Sequence, residues 1–233
     1  MTEHVNQSEA VNVSQMRISY ERAELLEQDL ASSPLEQFNL WLQDAVALGK
    51  EVIPEPNAMV LSTSNQYNEL HSRSVLLKGI DERGLMFYSN YNSTKAQDIT
   101  SNENVSALFP WYPLHRQVIV NGSVSKLSKE ESEAYFATRP YKSQLGALAS
   151  NQSEVIASRA IIEQKMADLE MEFPEGSQVP MPSHWGGYLI TVQSMEFWQG
   201  RRSRLHDRLR FIAVVEQPKL NEPAHWKVAR LSP

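Results

Sequence analysis

Short strand-like segments joined by tight turns run along most of this chain and restrict the folds open to it. The segments lie at residues 58–63, 73–80, 85–90, 105–111, 116–127, 188–200, 208–215 and 225–231. The turn at residues 81–84 is short enough for a hairpin. The regular strand–helix alternation and the GxGxxG motif of dinucleotide-binding folds do not occur. We therefore predict a mainly β, α+β fold: a closed or partly closed antiparallel barrel with peripheral helices.

Periodicity and capping signals predict helices between the strands. They are expected at residues 20–30, 34–48, 93–100, 128–139 and 154–173. Ser33 can cap the second helix, and Pro34 suits its first position. A capping box from Ser128 to Glu131 starts the fourth helix, and Pro140 stops it.

Charge and residue content exclude several function classes. The chain of 233 residues has a formal net charge of −6, which disfavours nucleic acid as the main partner. It has no cysteine, no metal-ligand spacing among its six histidines, and no apolar run near the roughly 20 residues that span a bilayer. We expect a mobile N-terminal arm at residues 1–15, a single domain at residues 16–233, and a cytoplasmic location.

Basic residues are dense in the segment "SRLHDRL" (203–209), just after an aromatic-rich stretch that contains Trp198. Arg204, His206 and Arg208 alternate, so on a strand they would share one face. Three stacked cations repel one another unless an anion or a π-system lies between them. An anion-binding role is therefore favoured over an ordinary solvated face.

Other groups also suit a phosphate, although each has an ordinary structural explanation. Arg73 and Lys78 flank a strand, and their spacing places them on opposite faces, which also fits two solvated strand ends. Donors that precede Lys95 at a helix start suit an anion, or form a plain capped turn; they are Tyr88, Ser89, Asn90, Ser93 and Thr94.

A third candidate group follows the helix at residues 128–139. Tyr135 and Arg139 are four residues apart on one helix face, and Ser143 follows the proline break. This trio could hold a phosphate dianion through the bidentate arginine, or be a surface cation–aromatic pair. Gln152 and Ser153 precede the last helix, where Ser153 is expected as its N-cap.

Together these segments resemble the pyridoxamine/pyridoxine 5′-phosphate oxidase family, from residue 17 to residue 233. The segments that carry the resemblance are "RISY" (17–20), "RSVLLKG" (73–79), "FYSNYNSTKA" (87–96), "LFPWYPLHRQV" (108–118), "YFATRPYKSQLGALAS" (135–150), "QSEVIASR" (152–159), "VPMPSHWGGY" (179–188), "EFWQGRRSRLHDRL" (196–209) and "ARLSP" (229–233). Their order and spacing together are highly specific.

The resemblance implies an FMN-binding split antiparallel β-barrel that works as a homodimer, with FMN where the two subunits meet. It implies oxidation of pyridoxine or pyridoxamine 5′-phosphate to pyridoxal 5′-phosphate by hydride transfer to flavin N5, after which dioxygen reoxidises the flavin and yields hydrogen peroxide. The residues implied to contact FMN are Arg73, Ser74, Val75, Leu76, Leu77, Lys78, Tyr88, Ser89, Thr94, Lys95, Gln117, Gln152, Ser153, Trp198 and Arg208. Those implied to bind the substrate are Arg17, Tyr20, Lys78, Tyr135, Arg139, Ser143, Arg204 and His206, and the catalytic pair would be Arg204 and His206.

A departure at an assigned site residue and two alternatives accompany this interpretation. Thr94 stands where the family often has arginine, so we expect weaker FMN binding. The chain could instead be a non-oxidase member of the FMN split-barrel group, such as a flavin reductase or a pyridoxal-phosphate carrier. A nucleic-acid module that uses the arginine-rich segment is opposed by the net charge.

Overall fold

An antiparallel sheet dominates the computed structural model, which describes residue 20 and residues 24–233. The strands are β1 (Ala58–Ser64), β2 (Leu70–Leu76), β3 (Gly79–Asp81), β4 (Gly84–Asn90), β5 (Asn104–Trp111), β6 (Arg116–Lys126), β7 (Trp185–Gln199), β8 (Asp207–Ala213) and β9 (Trp226–Arg230). Their order is β2-β1-β5-β6-β7-β4-β3, with β8 between β7 and β9. The sheet curls into a half-barrel, which confirms the predicted split-barrel fold.

The long strand β7 organises this sheet. One of its edges pairs with β6 along almost its whole length. Its other edge pairs first with β4, from Trp185 to Ile190, and then with β8, from Ser194 to Gln199. The two ends of β7 therefore have different neighbours and take part in different local structures.

Helices cover the sheet and close its core. In the described part of the chain they are α1 (Pro34–Ala47), α2 (Thr94–Ser101), α3 (Lys129–Ala137), α4 (Tyr141–Ala149) and α5 (Ala160–Glu172). Both predicted caps are confirmed, because Ser33 Oγ accepts from the Glu36 amide and Ser128 and Glu131 form a capping box. None of the helices described here is long and apolar enough to cross a membrane.

Aromatic side chains of α1 fix this helix to the sheet. Phe38 packs edge-on against Phe109 with ring centroids 5.0 Å apart, and Trp41 packs against Phe197 at 5.2 Å. All four side chains are almost fully buried. Burial of each such ring stabilises the fold by roughly 2–3 kcal/mol, so the α1–sheet contact is a main source of stability.

The helix predicted at residues 20–30 is wrong for the described part of that range. Only a single 3₁₀ turn forms, at Glu27–Asp29. The backbone of Leu25 is instead held by tertiary partners, since its N–H donates to Asp207 and its carbonyl accepts from Arg230. The predicted arm at residues 1–15 lies outside the described residues.

Two further predictions need correction. The strand predicted at 73–80 splits into β2 and β3, because the amides of Leu77 and Lys78 turn to the carbonyls of Asn57 and Met86. The helix predicted at 154–173 begins only at Ala160.

The sequence interpretation also missed α4. Pro140 both ends the preceding helix and starts α4, where its carbonyl accepts from the amides of Ser143 and Gln144. Ser153 is not the N-cap of the last helix, because α5 begins seven residues later, at Ala160. It has a left-handed backbone with φ 75°, and its hydroxyl accepts from the Thr94 amide.

Candidate active site

A cavity of about 760 Å³ lies where β2, β4, α2 and the start of α4 approach one another. Its lining residues are Arg73, Ser74, Val75, Leu76, Lys78, Tyr88, Ser89, Thr94, Lys95, Tyr135, Thr138, Arg139, Pro140, Ser143, Gln152, Ser153 and Trp185. Four groups of residues that were separate candidates in the sequence thus meet in one place. Arg73 and Lys78 line the same cavity, so their predicted placement on opposite faces is wrong, because β2 ends between them at Leu76.

Lys95 is buried at one end of this cavity, in the first turn of α2. Its ammonium group donates to Ser89 Oγ at 3.0 Å, Ser93 Oγ at 3.1 Å and Gln152 Oε1 at 2.7 Å. These acceptors are neutral. Burial, together with the nearby Arg73 charge, lowers the pKa of Lys95 to about 8. An anion at this end would favour the charged ammonium form.

Arg73 lies near Lys95, and groups of β1 and α2 hold its guanidinium. One guanidinium nitrogen donates to the Leu61 carbonyl at 3.1 Å and to Thr63 Oγ1 at 2.7 Å. The buried carboxylate of Asp98 lies 3.8 Å from the other nitrogen. Burial lowers the pKa of Arg73, and Asp98 opposes that effect. The sequence interpretation did not identify Asp98, which accepts a 2.6 Å hydrogen bond from Thr63.

Three aromatic side chains form another part of the cavity lining. The rings of Tyr88 and Tyr135 stack with centroids 3.8 Å apart, and Trp185 stacks on Tyr88 at 5.6 Å. The guanidinium of Arg139 lies 4.7 Å from the Trp185 ring centroid. This cation–π contact holds the guanidinium in place without neutralising its charge.

Arg139 places a partly unsatisfied charged group in the lining of the cavity. Its Nη1 is buried and has no hydrogen-bond partner among the described residues. Burial lowers the pKa of Arg139, and Tyr135 partly offsets this. An unpaired buried donor of a charged group is costly, so this atom indicates a missing anionic ligand. Ser143, in the first turn of α4, lines the same region.

A second group of predicted residues lies at the far end of β7. Trp198 pairs across the sheet with Gln117 on β6 and with Arg208 on β8. The Trp198 and His206 rings are 4.5 Å apart, and Tyr20 lies 5.8 Å from His206. The distal group, as we call Tyr20, Gln117, Trp198, Arg204, His206 and Arg208, is not among the residues that line the cavity.

The predicted strand alternation of Arg204, His206 and Arg208 is wrong. β8 begins only at Asp207, and Arg204 belongs to a 3₁₀ turn at Arg202–Arg204. The turn is left-handed at Ser203 (φ 57°) and Arg204 (φ 63°), because the chain has to reverse between the paired residues Gln199 and Asp207.

Arg208 has a partner that the sequence interpretation missed. Its Nε donates to Glu196 at 2.7 Å, and Arg210 binds the other carboxylate oxygen at 2.6 Å. Glu196 is 1% exposed, and the two arginines lower its pKa against the effect of burial. Glu196 and Arg210 are cross-strand neighbours in β7 and β8, so strand pairing was the available signal.

Two further predicted site residues differ from the others. Leu77 is 5% exposed and belongs to the main hydrophobic core, not to the cavity lining. Arg17 lies outside the described residues. Trp185, in contrast, lines the cavity but was not predicted.

The two groups of site residues lie at opposite ends of one strand. Trp185 belongs to the cavity and Trp198 to the distal group, thirteen residues later in β7. At roughly 3.3 Å per residue, this corresponds to roughly 40 Å of strand contour. Within one chain, the residues of the distal group do not line this cavity.

Comparisons with known proteins agree along the chain. A family described as pyridoxamine 5′-phosphate oxidase matches residues 48–172. A second, described as the pyridoxine 5′-phosphate oxidase C-terminal dimerisation region, matches residues 185–233. A pyridoxine/pyridoxamine 5′-phosphate oxidase from Streptomyces avermitilis is 49% identical over 94% of this chain and 95% of its own length. One from Rhodopirellula baltica is 46% identical over 95% of this chain and 96% of its own length.

Solved structures share the fold. PhzG from Burkholderia lata, crystallised with tetrahydrophenazine-1-carboxylic acid, superposes with a TM-score of 0.80 at 27% identity, covering 92% of this chain and all of that chain. A pyridoxamine 5′-phosphate oxidase-related, FMN-binding protein from Nostoc punctiforme gives a TM-score of 0.65 at 12% identity, covering 84% of this chain and 97% of that chain.

Proposed function

The chain belongs to the pyridoxine/pyridoxamine 5′-phosphate oxidase family, and from this premise we propose that it is an FMN-dependent oxidase. Its substrates are pyridoxine 5′-phosphate and pyridoxamine 5′-phosphate, and its product is pyridoxal 5′-phosphate. The family itself implies a flavin cofactor, and FMN is the specific form proposed here. The cytoplasmic location stays a prediction.

The charge of the cavity is the observation that carries this proposal. Lys95 is surrounded by neutral oxygen acceptors, and Arg139 leaves a buried nitrogen unpaired. The two cations lie on different elements, α2 and the α3–α4 junction, so they can serve two separate anions. A flavin mononucleotide and a phosphorylated pyridine provide two phosphate dianions, which fits this arrangement.

We assign the α2 end of the cavity to the FMN phosphate. Lys95, Ser89 and Gln152 already form a connected hydrogen-bond network there, and Arg73 adds a second cation. The backbone N–H groups at the start of α2 and the positive end of its helix dipole also favour an anion here. Thr94 also lines this end but brings no charge, which supports the expectation of weaker binding than an arginine would give.

We assign the α3–α4 end to the substrate phosphate. The set consists of Lys78, Tyr135, Arg139 and Ser143, all of which line the cavity. Arg139 can use its unpaired Nη1, and the stacked ring of Trp185 keeps the guanidinium in position. Phosphate binding is remote from the reacting carbon, so this set positions the substrate ring for reaction.

The distal group completes the site from a second copy of the chain. A C-terminal dimerisation region matches residues 185–233, which include Trp198, Arg204 and Arg208. In a two-fold homodimer, the far end of β7 of one subunit can face the cavity of the other. This arrangement would bring the distal group of one subunit to the cavity of the other, which the distal group does not line within one chain.

The chain's own residues would act as anchors and as a source of local charge. Bound FMN would supply the redox chemistry, as acceptor of a hydride from the 4′ carbon of the substrate, with dioxygen as the final electron acceptor. Arg204 from the distal group would hold the substrate ring. Arg208, fixed by the buried Glu196, would keep a cation near the flavin and favour its electron-rich reduced form.

Anaerobic bleaching of the flavin tests this function. The purified protein should be yellow, and its absorbance near 450 nm, typical of oxidised flavins, should fall when pyridoxine 5′-phosphate is added without oxygen. Air should restore the colour and release hydrogen peroxide. A flavin reductase or a carrier would keep its colour with this substrate, and that result would reject the oxidase function.

A further inference from the structure

The two ring nitrogens of His206 have different hydrogen-bonding roles. The backbone N–H of Arg201 donates to Nδ1 of His206 at 3.1 Å. A backbone amide is always a donor, so Nδ1 has to be the acceptor. A neutral imidazole in this position therefore carries its proton on Nε2.

The hairpin between β7 and β8 imposes this contact. The left-handed residues Ser203 and Arg204 fold the chain back, so that His206 meets an amide five residues earlier. Gly200 permits close packing here, since a Cβ at this position would lie 2.9 Å from the Tyr20 ring. The half-buried imidazole also contacts the rings of Trp198 and Tyr20, which restrict its orientation.

The surrounding charges also favour the neutral ring. Burial lowers the pKa of His206, and the positive charge of Arg204 lowers it further. Asp207 acts in the opposite direction, but its carboxylate is shared among the Leu25 amide, Arg201 and Arg230. Among the described residues, further titratable neighbours are the phenol of Tyr20 and, on the other side of that ring, His115.

We propose that His206 is a neutral hydrogen-bond donor that presents Nε2–H to an oxygen or nitrogen lone pair of the substrate, and that it is not a proton acceptor. This inference rests on the proposed function, which places the distal group over the substrate ring. A ring that donates from Nε2 while Nδ1 is already occupied has no free basic nitrogen. The proton lost from the substrate alcohol or amine is therefore not taken by His206.

NMR of the flavin-loaded protein labelled with ¹⁵N-histidine tests the tautomer directly. At neutral pH, His206 should show a pyridine-type Nδ1 signal and a pyrrole-type Nε2 signal, assigned by their loss in His206→Gln. Its titration midpoint should lie below the ordinary value of about 6.5. A pyrrole-type Nδ1, or a doubly protonated ring at neutral pH, would overturn the proposal. This readout needs no turnover, so it is independent of the bleaching test of the proposed function.

A pair of amide variants tests the donor role. The amide nitrogen of glutamine reaches the position of Nε2, whereas that of asparagine reaches only the position of Nδ1. We expect His206→Gln to keep a kcat about tenfold above His206→Asn and His206→Ala. If glutamine rescued no better than alanine, and the wild-type rate fell as His206 became protonated, His206 would be a base and the proposal would fail.

Discussion

Lys95 shows how a single buried cation prepares a binding site. Neutral hydroxyl and amide oxygens hold its ammonium group, and burial lowers its pKa to about 8. In the unfolded chain the same group would titrate near 10.4. Between these values the unfolded chain binds the proton that the folded apoprotein has released, so the apoprotein gains stability as pH rises through this window. Protonation of Lys95 therefore costs the folded apoprotein free energy as long as no anion is bound beside it.

Flavin binding should reverse this preference, which gives a prediction for Lys95. A bound phosphate favours the ammonium form, so FMN affinity should fall above about pH 8, by at most about tenfold per pH unit. Flavin fluorescence quenching at roughly pH 7 and pH 9.5 measures this, and Lys95→Met should bind weakly with a flat profile. Lys142→Met, at an exposed lysine of α4, is the matched control and should keep the wild-type profile. An equal loss of affinity with pH in the Lys95 variant would contradict the assignment.

At the scale of elements, the β7–β8 hairpin is tied to the segment before α1 through one carboxylate. Asp207 accepts from the Leu25 amide at 3.1 Å and from Arg230 on β9 at 2.9 Å. Arg201 adds a contact to Glu24 at 2.7 Å, and Arg230 also binds Glu27. These contacts replace the helical hydrogen bonds expected at residues 24–30. They also hold this segment against the β7–β8 hairpin, which carries most of the distal group.

Removal of this carboxylate should loosen the segment. Asp207→Ala leaves the Leu25 amide without its acceptor and removes one of two carboxylate partners from each of Arg201 and Arg230, so we expect a loss of about 2 kcal/mol in the free energy of unfolding. Hydrogen exchange at the Leu25 amide should accelerate together with this loss. Asp168→Ala is the control, because Asp168 only accepts from Gln164 on the exposed face of α5. Unchanged exchange at Leu25 would show that the carboxylate does not hold the segment.

At the scale of the whole molecule, one chain contains both groups of proposed site residues, and they lie at different ends of β7. The cavity lies at the Trp185 end of β7, and the distal group lies at its Trp198 end. A two-fold dimer would use each half once in each of two equivalent sites. In this arrangement β7 separates the two groups within each chain, and activity should require the dimer.

Mixed dimers test this arrangement. A heterodimer with Arg139→Ala on one chain and Arg204→Leu on the other should have one native site, hence about half of the wild-type activity. The control carries both substitutions on one chain, which damages both sites and should leave almost no activity. Sites built within single chains would give the opposite pattern, with an inactive first heterodimer and a half-active control. Peroxide release by tag-purified heterodimers measures the outcome.

Local signals determined much of this protein before any tertiary contact was considered. The caps at Ser33 and Ser128 and the turn at 81–84 depend on neighbours within a few residues, and all three are confirmed. Strand periodicity is also local, and it located most of the strands. The family resemblance named Arg73, Lys95 and Arg139 as ligand-binding residues, and all three line one cavity, while their binding roles stay predictions. Such features are readable because their energetics are local or because the motif is specific.

Tertiary structure alone decided the rest, because those features depend on groups distant in sequence. Asp207 and Arg230 bind the backbone of Leu25, where a helix was predicted before α1. A strand was expected at residues 204–206, but the pairing of β7 with β8 requires a left-handed turn there. The contact of Arg139 with Trp185 and that of Arg208 with Glu196 exist only once the sheet has formed. A charged side chain takes the partner that folding brings to it, and sequence spacing cannot specify that partner.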